Sequence, residues 1–118
     1  MQNLNKEHCV PCERGTKPLA DDKILELRAS LRLPWEIVPA EDSKPKRLKV
    51  EILLPDFLAA IAFINQVADI AETEGHHPDI YIFYNKIIFE LYTHAATGLT
   101  QNDFILATKI DEAFLNKI

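Results

Sequence analysis

No stretch of this 118-residue chain is apolar for long enough to span a bilayer. Residues 1 to 10 are polar and hold no apolar segment of the kind a secretory signal needs. These absences give the expectation of a cytoplasmic protein with no membrane partner. Basic residues are outnumbered, 13 Lys and Arg against 18 Asp and Glu, for a net charge of -5. An acidic chain repels phosphate backbones, so direct nucleic-acid binding is not expected. The one basic stretch, Lys44, Lys46, Arg47 and Lys49, reads as a solvated loop entering the polar face of a strand. There is no repeat of solenoid-like period. A His-Glu-x-x-His pair, which would place two zinc ligands on one helix face, is also missing.

Cysteine is scarce. Cys9 and Cys12 form a Cys-x-x-Cys pair beside His8. A redox dithiol needs a strand and then a helix around it, and the polar flanks do not supply them. A zinc centre needs about four ligands, so only one shared between chains would fit. The remaining reading is a loosely held leader with reduced thiols.

What is present suits one soluble domain. Hydrophobic residues make up 47% and charged residues 26%, an ordinary balance for a modest core. Residues 1 to 20 lack periodicity and hold Pro11, Gly15 and Pro18, which predicts an irregular leader before a single domain over residues 21 to 118. Asp21 and Asp22 stand at an N-cap position ahead of Ile24, Leu27 and Leu31. That spacing predicts a helix to about Leu33, stopped by Pro34. Trp35 to Val38 reads as a short strand. The alternation over residues 47 to 52 predicts a half-buried strand with Leu48, Val50 and Ile52 inward.

Pro55 opens the longest helix, where Phe57, Ile61, Ile64, Ala68 and Ala71 recur at helical spacing as the buried stripe. Gly75 fits the left-handed position just past its end. A hairpin follows over residues 79 to 93, with the turn at Asn85-Lys86 and Ile87, Phe89 and Leu91 on the core face. Thr100 caps the last helix with Asp103 three residues on, as in a capping box, ahead of the stripe Phe104, Ala107, Ile110, Ala113 and Phe114. The order is α-β-β-α-β-β-α. We expect an α+β fold, a two-layer sandwich of a four-stranded antiparallel sheet with three helices packed on one face.

Three of the four histidines fall at joints. His76 and His77 end the long helix, and His94 ends the hairpin. A hairpin runs out and back, so its two ends lie close together and all three imidazoles can face one cleft. Pro78 biases His77 toward extended backbone, so the adjacent pair points in different directions. One can then do chemistry while the other binds. Three histidines can hold catalytic zinc, but an adjacent pair is an awkward set of ligands, so no metal is expected. Glu72 lies on the last turn of the long helix, either solvated or touching the ligand. The capping box alone accounts for Asp103.

Glu72-x-x-x-His76-His77-Pro78, Tyr84-Asn85-Lys86, Thr93-His94 and Gly98-Leu99-Thr100 with Asp103 together resemble the pterin-4a-carbinolamine dehydratase family. That family is also known as the dimerisation cofactor of a homeodomain transcription factor. Cys9-Val10-Pro11-Cys12 resembles bacterial members, except that Arg14-Gly15 stands where paired glycines often follow. The resemblance implies dehydration of 4a-hydroxytetrahydropterin to quinonoid dihydropterin, recycling the cofactor of aromatic amino-acid hydroxylases. It implies His76 and His94 as an acid–base pair and His77 as mainly a binding residue. Glu72, Pro78, Thr93 and Asp103 would shape the substrate pocket, with no cofactor and no metal. Histidine, with an ordinary pKa of about 6.5, can give or take a proton at working pH. The partners implied are the pterin and further copies of the chain, as homodimer or homotetramer.

Two other readings stand beside this one. The fold can serve as a non-catalytic dimerisation or coactivator module, although a scaffold has no need of three histidines. It can also handle pterins in another pathway, such as molybdopterin metabolism.

Overall fold

In the computed structural model, which describes residues 4–11 and 15–116, the alternation of Arg47–Leu53 becomes strand β2. The other elements are α1 (Asp21–Arg28), β1 (Glu36–Val38), α2 (Phe57–Glu74), β3 (Asp79–Phe83), β4 (Lys86–Leu91) and α3 (Gln101–Leu115). The four strands form one sheet in the order β1-β2-β4-β3, with every neighbouring pair antiparallel. Leu48 lies opposite Leu91, Val50 opposite Phe89, and Ile52 opposite Ile87. All six are buried on the inner face, as period-two alternation requires. Ile24 and Leu27 of α1, Phe63 and Val67 of α2, and Phe104 and Ile110 of α3 join them in one core. Phe63 sets its edge against Phe89 and Phe114, with ring centroids 6.1 Å and 5.6 Å away. The expected α+β sandwich is the observed fold.

The departures are local and have physical causes. Helix α1 ends at Arg28 rather than Leu33. The amides of Ser30 and Leu31 turn back on carbonyls three residues earlier, and the Arg32 amide donates to Asp111 Oδ2 at 2.7 Å instead of continuing the helix. Asp21 and Asp22 sit in the first turn, where they complement the helix dipole, and the N-cap is Ala20. Helix α2 is capped by Asp56, which accepts from the Ala59 amide at 2.8 Å; Pro55 stands just before it. Its buried stripe is Ala60, Phe63, Val67 and Ala71, while Phe57 is 45% exposed and Ala68 lies on the outer side. Apolar residues cover so wide an arc of this helix that periodicity alone does not choose its phase.

The hairpin turn is Tyr84-Asn85, because Phe83 pairs with Lys86. Tyr84 takes the positive φ of 55°. Asn85 instead ties the turn to β2, donating from Nδ2 to the Leu54 carbonyl at 2.9 Å. Strand β4 stops at Leu91, and His94 begins a short 3₁₀ turn (His94–Ala96) closed by a Thr93–Gly98 bridge. Strand β2 is flanked by β1 and β4. Among the described residues, the free edges are β1 and β3.

The basic stretch is not simply solvated. Arg47 is buried and pairs with Glu41 at 2.9 Å and Glu90 at 3.5 Å. Lys44 reaches Glu90 at 3.7 Å and Lys46 reaches Asp21 at 2.6 Å. Acidic neighbours take up three of the four charges. Among the described residues, no helix is long and apolar enough to cross a membrane.

Candidate functional site

The site begins where α2 ends. Gly75 adopts the left-handed conformation, φ 67°, and the amides of Gly75 and His76 both donate to the Ala71 carbonyl. This turn carries the chain out of the helix at His76-His77-Pro78 and into β3. An added Cβ at Gly75 would meet nothing within 4 Å, so only the backbone resists substitution. Gly75→Ala is therefore expected to cost about 1 kcal/mol of stability, read by urea denaturation.

His76 Nε2 lies 2.6 Å from Asp103 Oδ1. Asp103 is wholly buried, and its Oδ2 accepts from the Thr100 amide at 2.9 Å and the Thr93 hydroxyl at 2.8 Å. The capping box expected of Thr100 and Asp103 is present. Asp103 has a second task as well, which is to anchor an imidazole. Thr93 spends its single proton on Asp103, so its oxygen accepts from the Thr100 hydroxyl, 2.8 Å away. A carboxylate only accepts, so the His76 proton sits on Nε2 and Nδ1 is left as the basic nitrogen.

His77 Nε2 bonds Glu72 Oε2, and both side chains are largely exposed. Such a pair orients the ring more than it stabilises the fold. His94 stands edge-on to the Tyr92 ring at 4.7 Å. Burial, and then the charge of Asp79, hold the Tyr92 phenol above its ordinary pKa, so it stays a neutral hydroxyl.

These groups surround one cleft of about 590 Å³. His76, His77, Pro78, Thr93 and His94 line it, bringing together five of the seven positions singled out in the sequence. Asp103 stands behind His76, and Glu72 reaches the cleft only through His77. Sequence reasoning missed Asp79, Tyr92, Glu74 and Asn102 among the lining residues, together with Cys9, Val10 and Pro11 of the leader.

One signal could have found Glu74. It is an acidic residue in the last turn of α2, where the helix dipole disfavours it, so a partner from elsewhere is called for. That partner is the leader. Glu74 accepts from the Cys9 amide at 2.8 Å and faces His8 Nδ1 at 2.9 Å. Burial pushes the Glu74 carboxyl up, but the Cys9 amide, His8 and Lys109 outweigh it and hold the group below its ordinary value. Residues 8–10 of the leader are thus pinned rather than loose, and Leu4 sits in the core. Cys12 lies outside the described residues. Among the described residues, no three His, Cys, Asp or Glu side chains are grouped to hold a metal ion.

The chain is similar in sequence and in fold to known proteins. The profile of the family described as Pterin 4 alpha carbinolamine dehydratase matches residues 17–113. A candidate pterin-4-alpha-carbinolamine dehydratase of Rickettsia bellii is 42% identical, covering 92% of this chain and 92% of its own. One of Nitrosospira multiformis is 38% identical, covering 97% and 95%. The solved structure of a transcriptional coactivator/pterin dehydratase from Brucella melitensis superposes with a TM-score of 0.72 at 28% identity. It covers 82% of this chain and 98% of the Brucella chain.

Proposed function

The chain belongs to the Pterin 4 alpha carbinolamine dehydratase family, and from that premise we propose that it dehydrates a 4a-hydroxytetrahydropterin by histidine acid–base catalysis. The observation that carries this reading is the His76–Asp103 pair. A buried carboxylate holds Nε2 of an imidazole that lines the cleft and leaves Nδ1 as the basic nitrogen.

The reaction breaks the C4a–O bond and forms a C4a=N5 double bond. The hydroxyl leaves as water once it gains a proton, and N5 gives up its own. His76 Nδ1 accepts the N5 proton, and His94 donates to the departing oxygen. His77, oriented by Glu72, binds the pterin beside Pro78 and Thr93. Asp103 acts through His76 and is a positioning residue. A carbinolamine already tends to lose water, so acid–base help of about a hundred- to ten-thousand-fold is enough. The product, a quinonoid dihydropterin, re-enters the pterin cycle of aromatic amino-acid hydroxylases.

A homodimer or homotetramer belongs to the same reading. The free edge of β3, with Ile80, Tyr81 and Phe83 exposed, suits a second copy better than the enclosed β2. A purely scaffolding role would leave the three histidines of the cleft without a use.

The test is stopped-flow absorbance on freshly generated 4a-hydroxytetrahydropterin, with and without a chelator. The wild type is expected to accelerate water loss equally in both. His94→Ala is expected to lower kcat/KM by about a hundredfold with circular dichroism unchanged. No acceleration by the wild type would overturn the enzymatic reading in favour of the binding module.

A further inference from the structure

Two buried side chains at the cleft spend hydrogen bonds on the leader. Asn102, 5% exposed, takes both main-chain groups of Val10: Oδ1 accepts from the Val10 amide at 3.0 Å and Nδ2 donates to the Val10 carbonyl at 2.6 Å. Such a two-point grip sets the height and the rotation of the segment. Glu74, with its side chain 4% exposed, takes the Cys9 amide and His8. A third contact runs from Cys9 Sγ to the Asn102 carbonyl at 3.5 Å. A solvated leader would need none of this, and burying an amide and a carboxylate is favourable only when they are well bonded.

The anchors are also close to the chemistry in the chain. Asn102 immediately precedes Asp103, and Glu74 is two residues before His76. The same two helix ends therefore place the His76–Asp103 pair and the leader. Cys9, Val10 and Pro11 line the cleft that His76, His77 and His94 line, and Val10 is 65% exposed.

We propose that residues 9–11 form a substrate-facing wall of the pterin cleft, that Asn102 and Glu74 are the positioning residues that hold it, and that Val10 sets which substituents on the pterin ring are admitted. This rests on the pterin reading and deepens it. A peptide segment gripped through its backbone keeps its position whatever its side chains are. The side chain at position 10 can then act as a selectivity element without disturbing the histidines.

The experiment uses the full chain and two readouts. Binding of a 7,8-dihydropterin, which cannot lose water, is measured by fluorescence titration, and turnover by stopped flow. Asn102→Ala removes the grip and is expected to raise KM and the dihydropterin Kd by about five- to tenfold, with kcat falling by less than KM rises. Hydrogen exchange at the Val10 amide should accelerate in the same variant. Asn102→Asp keeps the acceptor and loses the donor, and should fall in between. Val10→Trp leaves the anchors intact and alters the wall alone. It is expected to weaken a 6-substituted pterin several-fold more than an unsubstituted one, with thermal unfolding unchanged.

Unchanged Kd and KM in Asn102→Ala, or equal effects of Val10→Trp on both pterins, would overturn the wall. Absence of any pterin binding by the wild type would overturn the functional reading itself, a distinguishable result.

Discussion

His76→Ala is expected to lower kcat/KM by about 10²- to 10⁴-fold, the range a positioned acid or base supplies. Asp103→Asn should fall in the same range although it leaves every histidine in place. Three donors converge on Asp103: the Thr100 amide, the Thr93 hydroxyl and His76 Nε2–H. A carboxamide has only one acceptor oxygen. The Thr100 amide is fixed in backbone and can only donate, so the oxygen must stay on its side. The NH₂ group then faces His76 and forces the other tautomer, with the proton on Nδ1 and the lone pair on Nε2. The basic nitrogen is thereby turned onto the buried amide. Nitrogen-15 NMR of the imidazole would report that switch directly. Because the two residues act as one unit, the double variant should cost no more than the worse single variant. Near-wild-type turnover in His76→Ala would remove His76 from the acid–base role.

The largest effect on stability is expected away from the cleft. Asp111 is 1% exposed and accepts from the Trp35 indole N–H at 2.6 Å and the Arg32 amide at 2.7 Å. It thereby ties α3 to the chain leaving α1 and to the buried Trp35. Asp111→Ala strands these donors, each costing about 1–3 kcal/mol, so a loss of about 3 kcal/mol or more is expected in urea denaturation. Burial raises the Asp111 carboxyl above its ordinary value, against the pull of the Arg32 and Leu33 amides, the Trp35 indole and the Arg32 charge.

For an acid raised on folding, the linked stability is fully present below its unfolded pKa and is lost as pH rises through the folded value. The gap between wild type and Asp111→Ala should therefore be widest in acid and narrow as pH rises from the ordinary carboxylate range through the raised folded value. A gap that widens over that window would mean the carboxyl is not raised.

The order of the elements, the inner faces of β2 and β4, the cap on α3 and the joints at which three histidines fall are legible from the sequence alone. Each of these is written in neighbouring residues: alternation, a Thr with an Asp three places on, a Gly after a helix. The family is legible there too, through motifs whose spacing is local. The remaining features depend on residues far apart in the chain. The phase of α2 followed from which of its apolar stripes met Phe89 and Phe114. The end of α1 followed from Asp111, which captures the Arg32 amide 79 positions away. Arg47 was buried because Glu41 and Glu90 neutralise it, and Glu90 reaches it only across the β2–β4 pairing. Asp103 looked complete as a cap until the fold carried His76 onto its other oxygen. The leader, patternless on its own, took its place because Glu74 and Asn102 needed partners that their own helices could not provide.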